Sequence, residues 1–306
     1  LLLGTTGAGK TTLVRQLIGS DPLKDRCPST SSAKTTVHDS EIILTQRPWH
    51  AVITFVASNE VREYLLECVS AAVLAAWRRA SDDEVLRRLL AHVNQRFRFN
   101  YVLGNGPYPA TSDFDEDDED DDSPEWDAQL LTEDLSDIDL EKTNDILKRA
   151  VSQLRGIAQR VGDDLRKGLD ISDEKDERVL DEIFEEELDT ALRQDDEAQA
   201  ITDALMDEIE RRFDLLPKGK VRKTKQGWPL SWEGHWEVEE RERFLRDISR
   251  FSSNYAPLFG RLLTPLVNGV RVAGPFVPTW TGGRQPRLVL LDGEGLGHTP
   301  KSSAAV

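Results

Sequence analysis

The chain opens on an apolar run that breaks into a glycine loop and then into a helix-forming segment, Leu1-Leu2-Leu3-Gly4-Thr5-Thr6-Gly7-Ala8-Gly9-Lys10-Thr11-Thr12. Of all its stretches this one restricts the fold most. Gly4, Gly9, Lys10 and Thr11 meet the spacing G-x-x-x-x-G-K-[ST], and each residue type in it has a physical task. Glycine lets backbone N–H groups turn inward around a phosphate, where a side chain would block the approach. The Lys10 ammonium adds a full positive charge near the β- and γ-phosphates, and the Thr11 hydroxyl is placed to ligate Mg2+. Thr12-Leu13-Val14-Arg15-Gln16-Leu17-Ile18 has helical spacing, so its N-terminus would add unpaired N–H groups and a partial positive charge. Gly4, Thr5, Thr6, Gly7, Ala8, Gly9, Lys10, Thr11 and Thr12 are therefore expected to hold nucleotide phosphates. The plainer alternative is a glycine-rich turn between a buried strand and a helix.

A second stretch near the other end answers the first: Arg287-Leu288-Val289-Leu290-Leu291-Asp292-Gly293-Glu294-Gly295-Leu296-Gly297-His298. It has the form of a buried strand that ends in a carboxylate and continues as D-x-x-G. Paired with a phosphate loop upstream, Asp292 is expected to hold Mg2+ through water, and the Gly295 N–H to contact a γ-phosphate. Taken alone, an apolar strand ending in Asp is equally a structural element.

At 306 residues the chain has room for one large domain or two ordinary ones. It lacks an initiating Met, starts within a strand and stops just after a motif, so a piece of a longer protein is expected. The net charge of −17 repels nucleic acid and anionic membranes at long range, so no nucleic-acid partner is expected. Cys27 and Cys68 are too few for a disulfide framework or a cysteine zinc site, which fits a reducing cytoplasm. No apolar run approaches the length of a membrane span.

Between the two motifs the sequence changes character. A Ser/Thr-rich loop from Cys27 to Thr36 leads into two strand-like segments, Val37–Leu44 and Trp49–Val56, which read as a hairpin turning at Gln46-Arg47-Pro48. From Asn59 long helices are expected: Val61–Trp77, a Ser81-capped helix to about Phe97, Asp127–Leu169, Asp173–Leu215 and Glu237–Leu266. Leu130, Leu131, Leu135, Ile138, Leu147, Val151, Leu154 and Ile157 mark one apolar face, which suggests a helical bundle. The run Asp113–Asp122 is almost entirely carboxylate and reads as a self-repelling linker over about 110–125. From Lys218 to Trp236, lysines and arginines precede Trp228, Trp232 and Trp236. Such interleaving can grip a phosphate backbone or a membrane interface. The preferred reading is a basic hairpin whose tryptophans pack onto the helices while its cations offset acidic neighbours.

Leu291-Asp292-Gly293-Glu294-Gly295-Leu296-Gly297 resembles the D-x-E-G-L-G signature of guanylate-binding proteins and atlastins, and the phosphate loop with its Ser/Thr-rich successor is similar to dynamin-superfamily GTPases. The likeness covers about the first 60 and last 25 residues. It implies an α/β fold: a P-loop NTPase (G-domain-like) sheet, incomplete, with a large mostly α-helical insertion. The phosphate-loop part would span 1–58, the insertion 59–266 and the return to the sheet 267–306. The resemblance implies GTP and Mg2+ as ligands, with Lys10, Thr36 and Gly295 as catalytic groups and Thr11, Thr36 and Asp292 around the metal. Thr36, with Thr35 as its neighbour, would sense the γ-phosphate. The partners implied are GTP and GDP, and a second copy or an effector protein acting through the insertion.

Departures from the family pattern bear on chemistry. Leu296 stands where small GTPases place a water-orienting glutamine, and Thr6 and Gly7 stand where some large GTPases place an assisting side chain. Hydrolysis is thus expected to be slow, resting on Lys10, the loop amides and Mg2+. His298 could help position water or be a plain loop residue. An ATPase with Glu294 as base, and a nucleotide-binding scaffold with negligible hydrolysis, are the alternatives.

Overall fold

The computed structural model describes residues 10–19, 39–92, 98–106, 139–169, 174–253, 258–277, 281–282 and 286–292. The elements in chain order are α1 (Lys10–Ile18), β1 (Asp39–Leu44), β2 (Trp49–Phe55), α2 (Ser58–Trp77), α3 (Asp82–Leu90), α4 (Asn100–Leu103), α5 (Leu140–Leu169), α6 (Glu174–Gln194), α7 (Asp196–Arg211), β3 (Lys220–Lys223), β4 (Pro229–Trp236), α8 (Arg241–Ser252), β5 (Val267–Gly274) and β6 (Leu288–Asp292). The class is mixed α/β, and the strands form one six-stranded sheet in the order β3-β4-β2-β5-β1-β6. The acidic run and the linker around 110–125 lie outside the described residues.

The expected hairpin of β1 and β2 does not exist. β5 lies between them, parallel to β1 and antiparallel to β2, with Val272 opposite both Ile42 and Ala51. The four residues that connect β1 to β2 arch over the end of β5, where Thr45 N donates to the Gly274 carbonyl at 2.9 Å. Alternation and turn residues specify two antiparallel strands, but they are blind to a third strand arriving from over 200 residues downstream. The hairpin expected within the mostly helical block from 59 to 266 is formed by β3 and β4, and it joins the sheet on the outer side of β2.

The basic stretch forms the expected hairpin, and its tryptophans pack as the preferred reading requires. Trp228, Trp232 and Trp236 are all buried. Their indole N–H groups donate to the Val56 carbonyl, the Pro217 carbonyl and the Asp247 carboxylate, each at 2.9 Å. α8 covers this face of the sheet with Phe244, Ile248 and Phe251; Phe244 stacks on Trp49 at 4.6 Å between ring centroids.

The helices follow the apolar periodicity, with ends set by local chemistry. Ser81 caps α3 by accepting from Glu84 N at 3.3 Å, and α3 stops at Leu90 rather than near Phe97. Asp195 accepts from Glu197 N and Ala198 N, so it breaks the expected Asp173–Leu215 helix into α6 and α7. Leu147, Val151, Leu154 and Ile157 of α5 are fully buried, as their spacing predicts. The acidic α6 is held to α2 by Arg78, which binds Asp181 and Glu185 at 2.8 and 2.7 Å, and by Trp77 stacked on Phe184 at 4.5 Å. Among the described residues no helix is long and apolar enough to cross a membrane.

Two glycines show opposite demands. A Cβ on Gly274 would collide with the Trp49 ring, whereas one on Gly156, exposed in the middle of α5, would meet nothing within 4 Å. Gly274→Ala is expected to lower stability by about 1–3 kcal/mol through overpacking. Gly156→Ala is expected to raise it by about 0.5–1 kcal/mol by removing backbone freedom from the unfolded chain. Chemical denaturation of the two variants beside the parent checks the pair, and equal shifts of one sign would refute this packing.

Candidate functional site

Helix α1 begins at Lys10, two residues before the Thr12–Ile18 segment whose spacing predicts a helix, and packs against β6. Val14 and Ile18 bury its inner face, while Thr12 and Leu13 are exposed. The first backbone N–H groups of such a helix have no partner within it and point beyond its N-terminus, which favours anions there. Lys10 and Thr11 occupy that first turn; their side chains lie outside what is described, as do Gly4, Thr5, Thr6, Gly7, Ala8 and Gly9.

β6 pairs antiparallel with β1, with Ser40 opposite Asp292. Asp292 is 2% exposed and Ser40 8%. Because the strands run in opposite directions, the chain entering β1 at Asp39 and the chain leaving β6 at Asp292 do so at one end of the sheet, on adjacent strands. Thr36 precedes that entry by three residues and Gly295 follows that exit by three. Thr36, Gly295, Glu294, Leu296 and His298 themselves lie outside the described residues. β6 departs from the expected buried strand: Leu290 and Asp292 face inward, whereas Val289 and Leu291 are 49% and 40% exposed. It is the last strand in the sheet among the described residues, and these cover only the face that bears Leu290 and Asp292.

A polar cavity that no sequence motif announced lies elsewhere. It encloses about 750 Å3 where the start of α5, the end of α7 and α8 meet, and Lys142, Arg211, Lys218, Arg246, Asp247 and Arg250 help line it. Arg212 in its wall is 3% exposed and donates from Nε to the carbonyls of Val102 and Gly260 and from Nη2 to Thr143 Oγ1, at 2.8–2.9 Å. Arg250 donates to the Leu215 carbonyl. Burial pushes Asp247 above the ordinary carboxylate range, against the Trp236 N–H bond and the neighbouring arginines, which pull it down. The spacing of Arg243, Arg246, Asp247 and Arg250 on one side of α8 was the available signal; the other walls come from segments distant in sequence.

Compared with protein-family models, with curated proteins and with solved structures, the chain matches none of them.

Asp247 generates a test with a definite sign. Its folded pKa is raised, so its contribution to stability is complete below the unfolded value of 3.8 and is lost as pH rises through the folded value. Asp247→Asn keeps an acceptor for Trp236 Nε1 and does not titrate. The stability of Asp247→Asn relative to the parent is expected to improve as pH rises above the unfolded value of 3.8, as read from urea midpoints. A relative loss over that range would contradict a carboxyl destabilised by burial.

Proposed function

We propose that the chain is a nucleotide-binding P-loop NTPase of GTPase type that hydrolyses GTP to GDP and phosphate. The observation that carries the reading is the register of β1 against β6, because it sets the strand that follows the Ser/Thr-rich loop beside Asp292, about 250 residues downstream. The glycine motif followed by a helix that starts at Lys10 and packs on β6 supports it independently.

The donor set fits magnesium, since the Thr11 and Thr36 hydroxyls and the Asp292 carboxylate are hard oxygen ligands. Bound there, Mg2+ would neutralise charge developing on the phosphates. The chain's own groups do the rest: loop amides and the α1 N-terminus bind phosphate oxygens, Lys10 spans the β- and γ-phosphates, and the Gly295 N–H meets the γ-phosphate. With Leu296 in place of a water-orienting side chain, turnover is slow and the bound state long-lived. Guanine preference rests on the likeness to guanylate-binding proteins, and the low cysteine usage supports a cytoplasmic setting.

The insertion has a mechanical role in this reading. β1 is bonded to β6 on one side and to β5 on the other. Any shift of the Thr36 segment on nucleotide binding is thereby passed to the strand that anchors the helical block, which would present a changed surface to a second copy or an effector protein.

Binding of labelled GTP and ATP by the intact chain in Mg2+, with phosphate release followed in the same samples, tests the assignment. Lys10→Ala is expected to weaken GTP binding by roughly a hundredfold or more, and Asp292→Asn to remove most of the Mg2+ dependence, with circular dichroism unchanged. ATP preference would replace GTP by ATP with Glu294 as base. Binding without Lys10-dependent release would leave a nucleotide-gated scaffold, and no nucleotide binding at all would overturn the proposal.

A further inference from the structure

The outer face of the sheet carries a cluster that plays no part in the nucleotide reading. His50 on β2 and His235 on β4 are direct cross-strand partners, with imidazole centroids 4.4 Å apart and planes inclined by 33°. Glu233, two residues before His235 and therefore on the same face, places Oε1 3.1 Å from His50 Nε2 and 3.8 Å from His235 Nε2. One ligand atom from each of the three lies within 4.8 Å of the others. Tetrahedral coordination at zinc-ligand lengths of about 2.0–2.1 Å sets donor atoms about 3.3–3.5 Å apart, so small side-chain adjustments suffice.

We propose that His50, Glu233 and His235 form a binding site for a divalent transition-metal ion, zinc being the ion to test first. Two neutral imidazoles and one carboxylate suit zinc, and they do not suit magnesium, which takes an octahedron of oxygens. Three protein ligands leave a fourth position for water. The site is anchored from below: the residues that alternate with its ligands, Trp49, Ala51, Trp232, Gly234 and Trp236, are buried in the core. The partial exposure of His50 and Glu233 and the open His235 side chain give an ion free access. Lys220 on β3 faces Glu233 and opposes a cation, whereas Ala273 of β5, opposite His50, is neutral. Arg271 of β5 is engaged by Glu41.

A bound ion would clasp β4, and with it the β3–β4 hairpin, to β2. The clasp is independent of the nucleotide proposal, because β6 lies three strand spacings from β2, about 14 Å across the sheet.

The test is calorimetric titration of the intact chain with Zn2+ in excess Mg2+ at about pH 7.5, with melting temperature measured alongside. One equivalent is expected to bind and to raise the melting temperature. His235→Asn and Glu233→Gln change exposed or half-exposed side chains and are expected each to weaken Zn2+ binding roughly tenfold or more and to remove the thermal shift. His92→Asn, at the histidine–carboxylate pair formed with Glu67, is expected to leave both unchanged. Absence of Zn2+ binding, or binding unaltered in both His235→Asn and Glu233→Gln, would overturn the proposal. Should His50→Asn fail to fold, those two variants decide.

Discussion

The strand that fills the slot between β1 and β2 is the constraint on which the rest of the molecule depends. Without β5, the facing edges of β1 and β2 would leave rows of backbone N–H and C=O groups unpaired in the core, at roughly 1–3 kcal/mol for each buried group. β5 comes from residues Val267–Gly274, so the chain must travel out through seven helices and a hairpin, counted among the described residues, and return to the end of β2. Val56 N donates to the Leu266 carbonyl at 2.9 Å at that point of return. Arg212 secures the route by joining α4, α5 and the segment before β5 through three hydrogen bonds inside the core. The helical block is thus part of the sheet's closure and shares one continuous apolar core with it.

Large rings laid over glycines do much of the packing. Trp49 lies over Gly274, Trp232 and Trp236 over Gly234, and Trp77 over Gly162; in each case a Cβ would collide with an indole. The arrangement brings backbone and aromatic surface closer than any other residue pair permits, at the cost of tolerance to substitution. The acidic excess is handled on the outside. Arginines of α2 and α5 reach carboxylates of α6 and α7, among them Arg62 to Asp203 and Arg160 to Glu197. Such exposed pairs add little energy individually and mainly keep acidic helices from repelling one another.

What the sequence made legible was local. The helix after the glycine loop, the Ser81 cap, the buried face of α5 and the packing role of the three tryptophans all follow from neighbours within a few residues. The assignment of β1 and β2 to a hairpin failed because register between adjacent antiparallel strands and between strands one place apart looks alike in alternation. β6 was expected to be a buried strand because Leu288 to Leu291 are all apolar, yet apolar content does not say which side the sheet covers. For the candidate site, the sequence supplied both ends and their residue types. The pairing of Ser40 with Asp292 was not legible, since no local pattern carries it. Histidine ligands spread over β2 and β4 escaped for the same reason: 185 positions separate His50 from His235, and only the cross-strand register makes them neighbours.

The pairing of β1 with β6 also orders events in time. About 250 residues separate Ser40 from Asp292, so this contact is among the most non-local in the molecule and closes one of its largest loops. At a synthesis rate of about 5–20 residues per second, β1 waits roughly 10–50 s on the ribosome for its outer partner. During that interval the helical block can assemble, while β1 lacks the strand on its outer side. Pairing of β1 with β6 therefore follows the synthesis of everything between the two strands.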